Sequence, residues 1–151
     1  MFNFKTTQAS CRTGVRISTL EYTLMENFRD FDAGTDPFGR VWHAQFKYLQ
    51  TGISIRHSDT VDVRYVVDNG EERIQKTVVL QNADLRAHSN RTGRPISDAW
   101  CSRLAACKLR DSIETAEDLE KDYLLVTPAE IEKFDAMVKK WEDEWPRKHA
   151  A

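Results

Sequence analysis

Three of the four histidines, His43, His57 and His88, are the side chains best suited to move protons near neutral pH, because imidazole alone titrates there without help. Acids such as Asp59 and Asp62 could orient them, which would make a small enzyme with acid–base chemistry. The run His57-Ser58-Asp59 has the residue types of a hydrolytic triad but the wrong spacing: consecutive residues of an extended segment point to opposite faces. These three are expected to end a strand, and no catalytic residue is assigned.

Metal centres built from Cys and His use close ligand pairs. Here Cys101 and Cys107 are six apart, which on a helix turns them away from each other, and Cys11 is remote from both. Buried thiols are expected, with no metal and no cofactor. The acids Asp30, Asp32 and Asp36 alternate like the first half of a calcium loop, but glycine stands fifth rather than sixth and Val41 occupies the twelfth position, which needs glutamate, so a plain turn is expected. Six scattered glycines cannot build a phosphate cradle. Arg12 and Arg16 have the spacing that opens the motif of cyclic-dinucleotide-binding PilZ domains, yet its second half is missing, so no family resemblance follows.

Charge is divided unevenly along the chain. Between Arg86 and Arg110 lie six basic residues against Asp98 alone, whereas Asp111 to Trp145 carries twelve acids and four lysines. Such asymmetry bears on partners or on pairing within the chain. Arg86, Arg91 and Arg94, expected in a loop, together with Arg103 and Arg110 on a following helix, form a candidate anion site for phosphate or nucleic acid, since guanidinium forks suit such groups. A nucleic-acid reading would want an aromatic platform interleaved with the charges or a strongly basic domain, and this domain is acidic in total, which weighs against it.

The elements that must position these groups fit one α+β domain spanning residues 1–151. The chain is 40% apolar and 30% charged, too hydrophobic for disorder, and holds no apolar run of bilayer length. The N-terminus lacks the basic and apolar regions of a secretion signal, and three cysteines make an odd set, so a cytoplasmic, reducing location is expected. Val61 to Leu80 alternates around Asn69-Gly70 and predicts a central hairpin with a two-residue turn, Tyr65 opposite Ile74 and Val61 opposite Val78. One or two further strands are expected over Val41–Tyr48 and Ile53–Arg56, with Trp42, Ala44, Phe46 and Tyr48 sharing a face.

Ser97 to Ala116 reads as a helix apolar around most of its circumference, hence sandwiched between the sheet and something else, such as another helix or another chain. Thr127-Pro128-Ala129-Glu130 is a capping box, and Ile131, Phe134, Val138, Trp141 and Trp145 stripe the helix it starts, up to Pro146. Residues 15–31 are expected to be helical from Ser18, and Tyr123–Val126 to form a short strand. The resulting expectation is an antiparallel sheet of three to five strands carrying two or three helices. By elimination the first functional reading is a non-catalytic interaction module or accessory subunit, with Phe134, Trp141 and Trp145 as partner-binding residues and a protein partner or a second copy of the chain as ligand. The arginine anion site and the histidine enzyme are the alternatives.

Overall fold

A computed structural model describes residues 18–52 and 59–148. Their order is α1 (Thr19–Glu26), β1 (Asp30–Thr35), β2 (Val41–Gly52), β3 (Thr60–Asp68), β4 (Arg73–Gln81), α2 (Asn82–Thr92), α3 (Asp98–Thr115), β5 (Tyr123–Leu125) and α4 (Pro128–Lys148). The strands form one five-stranded sheet in sequence order. All neighbours are antiparallel except β4 and β5. The class is α+β, as expected, with four helices among the described residues where two or three were expected. The PilZ-like arginine pair, Cys11, His57 and the Ile53–Arg56 strand lie outside the described residues.

The first helix begins as expected: Ser18 Oγ accepts the Glu21 N–H at 3.1 Å while the Glu21 carboxylate accepts the Ser18 N–H at 3.2 Å. It is short, ending at Asn27, because Asp30, Asp32 and Thr35 alternate with buried Phe31 and Ala33 in a strand. The β1–β2 connection closes on Asp36. Its buried carboxylate accepts the backbone N–H groups of Phe38 and Arg40, the Arg40 Nε–H and the Trp42 indole N–H. Burial opposes the charge, yet these donors hold the carboxyl at about 2. Asp30 and Asp32 point elsewhere, so the plain turn is confined to residues 36–39.

The central hairpin forms with a register two residues from the expected one. Asp68 pairs with Arg73, which places Tyr65 opposite Lys76 and Val61 opposite Leu80. The loop is longer because Asn69 Oδ1 accepts the N–H groups of both Glu71 and Glu72, and Asn69 stays out of the left-handed region that a type I′ turn requires. A shift of two preserves the faces, so Val61, Val63, Tyr65 and Val67 still point into the core. A bulge between Phe46 and Tyr48 does change them: Trp42, Ala44 and Phe46 face inward, but Tyr48 turns to the opposite side.

All four helices lie on one side of the sheet. The third is buried around Trp100, Leu104, Ala105, Leu109 and Ile113, between the strands and α4, which accounts for its apolar circumference. α2 occupies the segment expected to be a loop. It is polar in sequence and buries only Leu85 and His88, so its helical period is faint; Gly93, at φ +78°, ends it. α4 packs on α1, α2 and α3, and continues two residues past Pro146. Its start is the predicted capping box, with Glu130 N–H donating to Thr127 Oγ1 and Thr127 N–H to Glu130 Oε1. Thr127→Ala is expected to cost about 0.5 to 2 kcal/mol in denaturant unfolding, and an unchanged midpoint would contradict the role of this cap.

Candidate functional site

The structure separates His43 from His88. His88, on α2, lies in the helical layer, where its Nε2 stands 2.7 Å from Asp135 Oδ2 on α4 and its ring stacks on Trp100. Arg91 reaches His88 Nδ1 at 3.2 Å, and because a guanidinium only donates, Nδ1 accepts and Nε2 carries the proton. The other Asp135 oxygen takes the Trp100 indole N–H and Arg94, each at 3.0 Å. Burial alone would raise the Asp135 carboxyl; the hydrogen bonds from His88 and Trp100 and the charge of Arg94 hold it below the usual range. Both His88 and Asp135 are buried, so this network joins α2, α3 and α4 rather than facing a substrate.

His43, on β2, lies on the opposite side of the sheet. Its Nδ1 is 2.9 Å from Asp32 Oδ1 and its Nε2 meets Asp30 Oδ1, so each ring nitrogen faces one carboxylate. The Asp32 bond, with Asp30, raises the imidazole above its ordinary value against partial burial. Asp62 instead accepts the Thr60 hydroxyl, and Asp59 offers its backbone carbonyl to Asn82. Neither joins His43 or His88. Burial pushes the thiols of Cys101 and Cys107 to about 12, far from a reactive thiolate. Among the described residues no group of three or more metal-ligating side chains comes together.

The charge asymmetry is largely resolved within the chain. Arg94 grips Glu142 through two bonds of 2.8 and 2.9 Å; Arg91 meets Glu132, Lys108 meets Glu130, and Arg110 meets Glu21 and Glu114. Arg103 lies over the rings of Trp141 and Phe28 and donates to the Met25 carbonyl. The five arginines therefore do not converge on an anion cradle: four are engaged by acids or aromatics of the helical layer, and Arg86 stands exposed on α2. The aromatic helix is likewise mostly turned inward. Phe134 is 1% exposed, Trp141 is half-buried beside Tyr22, and Trp145 remains 40% exposed.

Sequence reading missed the far side of the sheet. No described element covers it, and its side chains form rows across the strands. One row is Asp32, His43, Asp68 and Arg73; another is Tyr48, Arg64, Thr77 and Tyr123; a third is Gln50, Asp62, Val79 and Leu125. Tyr123 is 62%, Leu125 49% and Tyr48 40% exposed. A shallow cavity of about 340 Å³ lies over β4 and β5, lined by Arg64, Gln75, Thr77, Asp122 and Tyr123. The only signal in the sequence was the outward half of each alternation, which carries no periodicity of its own beyond that of the core.

Lys76 was missed as well. It interrupts the inward series Ile74, Lys76, Val78, and is buried with its ammonium donating to the carbonyls of Leu119 and Lys121. Burial pulls its pKa down, opposed by Asp122, Glu120 and Asp118. The lysine fastens the segment that delivers β5 to the sheet edge. No protein-family model matches this chain, and neither a curated protein nor a solved structure matches it.

Proposed function

We propose that the chain is a non-catalytic protein-interaction module or accessory subunit that meets its partner through the open face of its sheet. The observation that carries this reading is the exposure of Tyr123 and Leu125 beside Val79, with Tyr48 further along the Tyr123 row beyond Thr77 and Arg64, on a face that no described element covers. Exposed apolar and aromatic groups collected on one face are characteristic of contact surfaces, and tyrosine is enriched where such contacts are strongest. The engagement of His43 and His88 in separate pairings, and of most arginines by internal acids, further favours this reading over the enzyme and the anion binder. With Phe134 in the core, the aromatic helix contributes mainly Trp145, and the sheet face becomes the principal surface.

Affinity purification of the tagged chain from its native lysate at low and high salt tests the reading when run beside Leu125→Asp, a change at a half-exposed position. The expected result is a protein retained in stoichiometric amount at high salt by the wild type and lost with the variant, while the melting curve stays the same. Absence of any retained protein, or equal retention by the variant, would overturn it.

A further inference from the structure

Arg64 occupies the middle of the open face, and its setting differs from that of the other arginines. Its guanidinium lies 5.5 Å from the centre of the Tyr48 ring, while Nε donates to Thr77 Oγ1 at 3.1 Å and Nη1 to Gln75 Oε1 at 3.0 Å. These contacts fix the fork above β4, at the wall of the cavity whose other side is Tyr123 and Asp122. Two of five N–H groups are used. No carboxylate lies within 4.0 Å of Arg64 among the described residues, whereas Arg73, on the same face, has Asp68 at 3.8 Å. Tyr48 reaches this position only because of the bulge at Lys47.

We propose that Arg64 anchors the partner by taking the carboxylate of an acidic side chain, held between Tyr48 and Tyr123. This rests on the interaction reading above and names the chemistry of the ligand. A guanidinium already oriented by neutral hydrogen bonds loses little freedom on binding, and its planar fork matches a carboxylate. The surroundings select against a polyanion. Asp62 and Asp122 flank Arg64 on this face, so a polyanion such as a nucleic acid would meet repulsion beside it. A single acidic residue within an apolar segment meets Arg64 while its neighbours cover Leu125, Val79 and Tyr123, and Asp122 offers an acceptor for an N–H of that segment.

The test is an NMR titration of the full ¹⁵N-labelled chain with four probes: acetyl-Leu-Glu-Leu-amide, acetyl-Leu-Gln-Leu-amide, inorganic phosphate and oligothymidylate. The glutamate peptide is expected to move the Arg64 Nε–H and the Thr77 and Tyr123 amides in the millimolar range, with the glutamine peptide weaker by about tenfold or more. Arg64→Gln should abolish that difference, and Arg64→Lys, which keeps the charge without the fork, should reduce it; the lysine variant is read if the glutamine variant does not fold. Equal response to both peptides, shifts centred elsewhere, no response at about 10 mM peptide, or a stronger response to phosphate or oligothymidylate would overturn the proposal. A partner lost with Leu125→Asp but kept by Arg64→Gln would remove the anchor and leave the interaction reading standing.

Discussion

Asp135→Ala is expected to lower stability by about 3 to 5 kcal/mol, measured by urea unfolding at pH 7. Against the roughly 5 to 15 kcal/mol that holds a domain together, that loss removes much of the margin. The carboxylate receives hydrogen bonds from His88 and Trp100 and lies against Arg94, with 1% of its surface exposed. Truncation leaves an indole N–H, an imidazole N–H and part of a buried guanidinium without their acceptor, and three helices lose their common tie. Arg94 retains Glu142, so the cost falls chiefly on the groups that Asp135 alone satisfies.

The pH dependence gives an independent check. The Asp135 carboxyl sits below its ordinary value of 3.8 in the fold. Its stabilising contribution is therefore complete above that value and declines as acid protonates it. The difference between wild type and Asp135→Ala should narrow below about pH 4; a difference that stays constant down to the acid transition would show that the charge contributes nothing.

Phe134→Ala is expected to cost about 3 to 5 kcal/mol through lost burial and the cavity left behind. In a chain of this length that lowers the melting midpoint by more than about 6 °C. The ring lies one turn from Ile131 and Val138 on the buried side of α4. The expectation from sequence placed Phe134 at a partner surface, which would give the opposite pattern: weakened partner retention with an unchanged melting curve. Measuring both quantities on one variant separates the two roles. The buried position of the ring favours the first pattern.

Phe134 lies in the core although its helix forms where the sequence places it. A stripe at helical spacing identifies a face that wants an apolar neighbour, but not the neighbour. The same holds for α3, whose apolar circumference required two covering layers without naming them; α4 and the sheet supply them. The segment 82–92 fails for a different reason: only Leu85 and His88 are buried, so neither composition nor period distinguishes a polar surface helix from a loop. The hairpin register slipped because the side chain of Asn69 holds two backbone N–H groups and extends the turn, a local competition that the Asn-Gly pair alone does not reveal.

Taken by itself, the sequence determined those features that arise within a few residues: the capping boxes at Ser18 and Thr127, the strand alternation around Asn69-Gly70, the apolar stripe of α4 and hence the α+β class. Tertiary structure alone decided which charges meet. Arg94 finds Glu142 and Asp135 across more than forty residues, His43 finds Asp30 and Asp32 across a hairpin, and the bulge at Lys47 brings Tyr48 beside Arg64. Capping and periodicity depend on backbone geometry that repeats over one turn or one pleat, whereas these pairings depend on how whole elements stack. The open face of the sheet belongs to the second kind, because a side chain is exposed or covered only once every other element has taken its place.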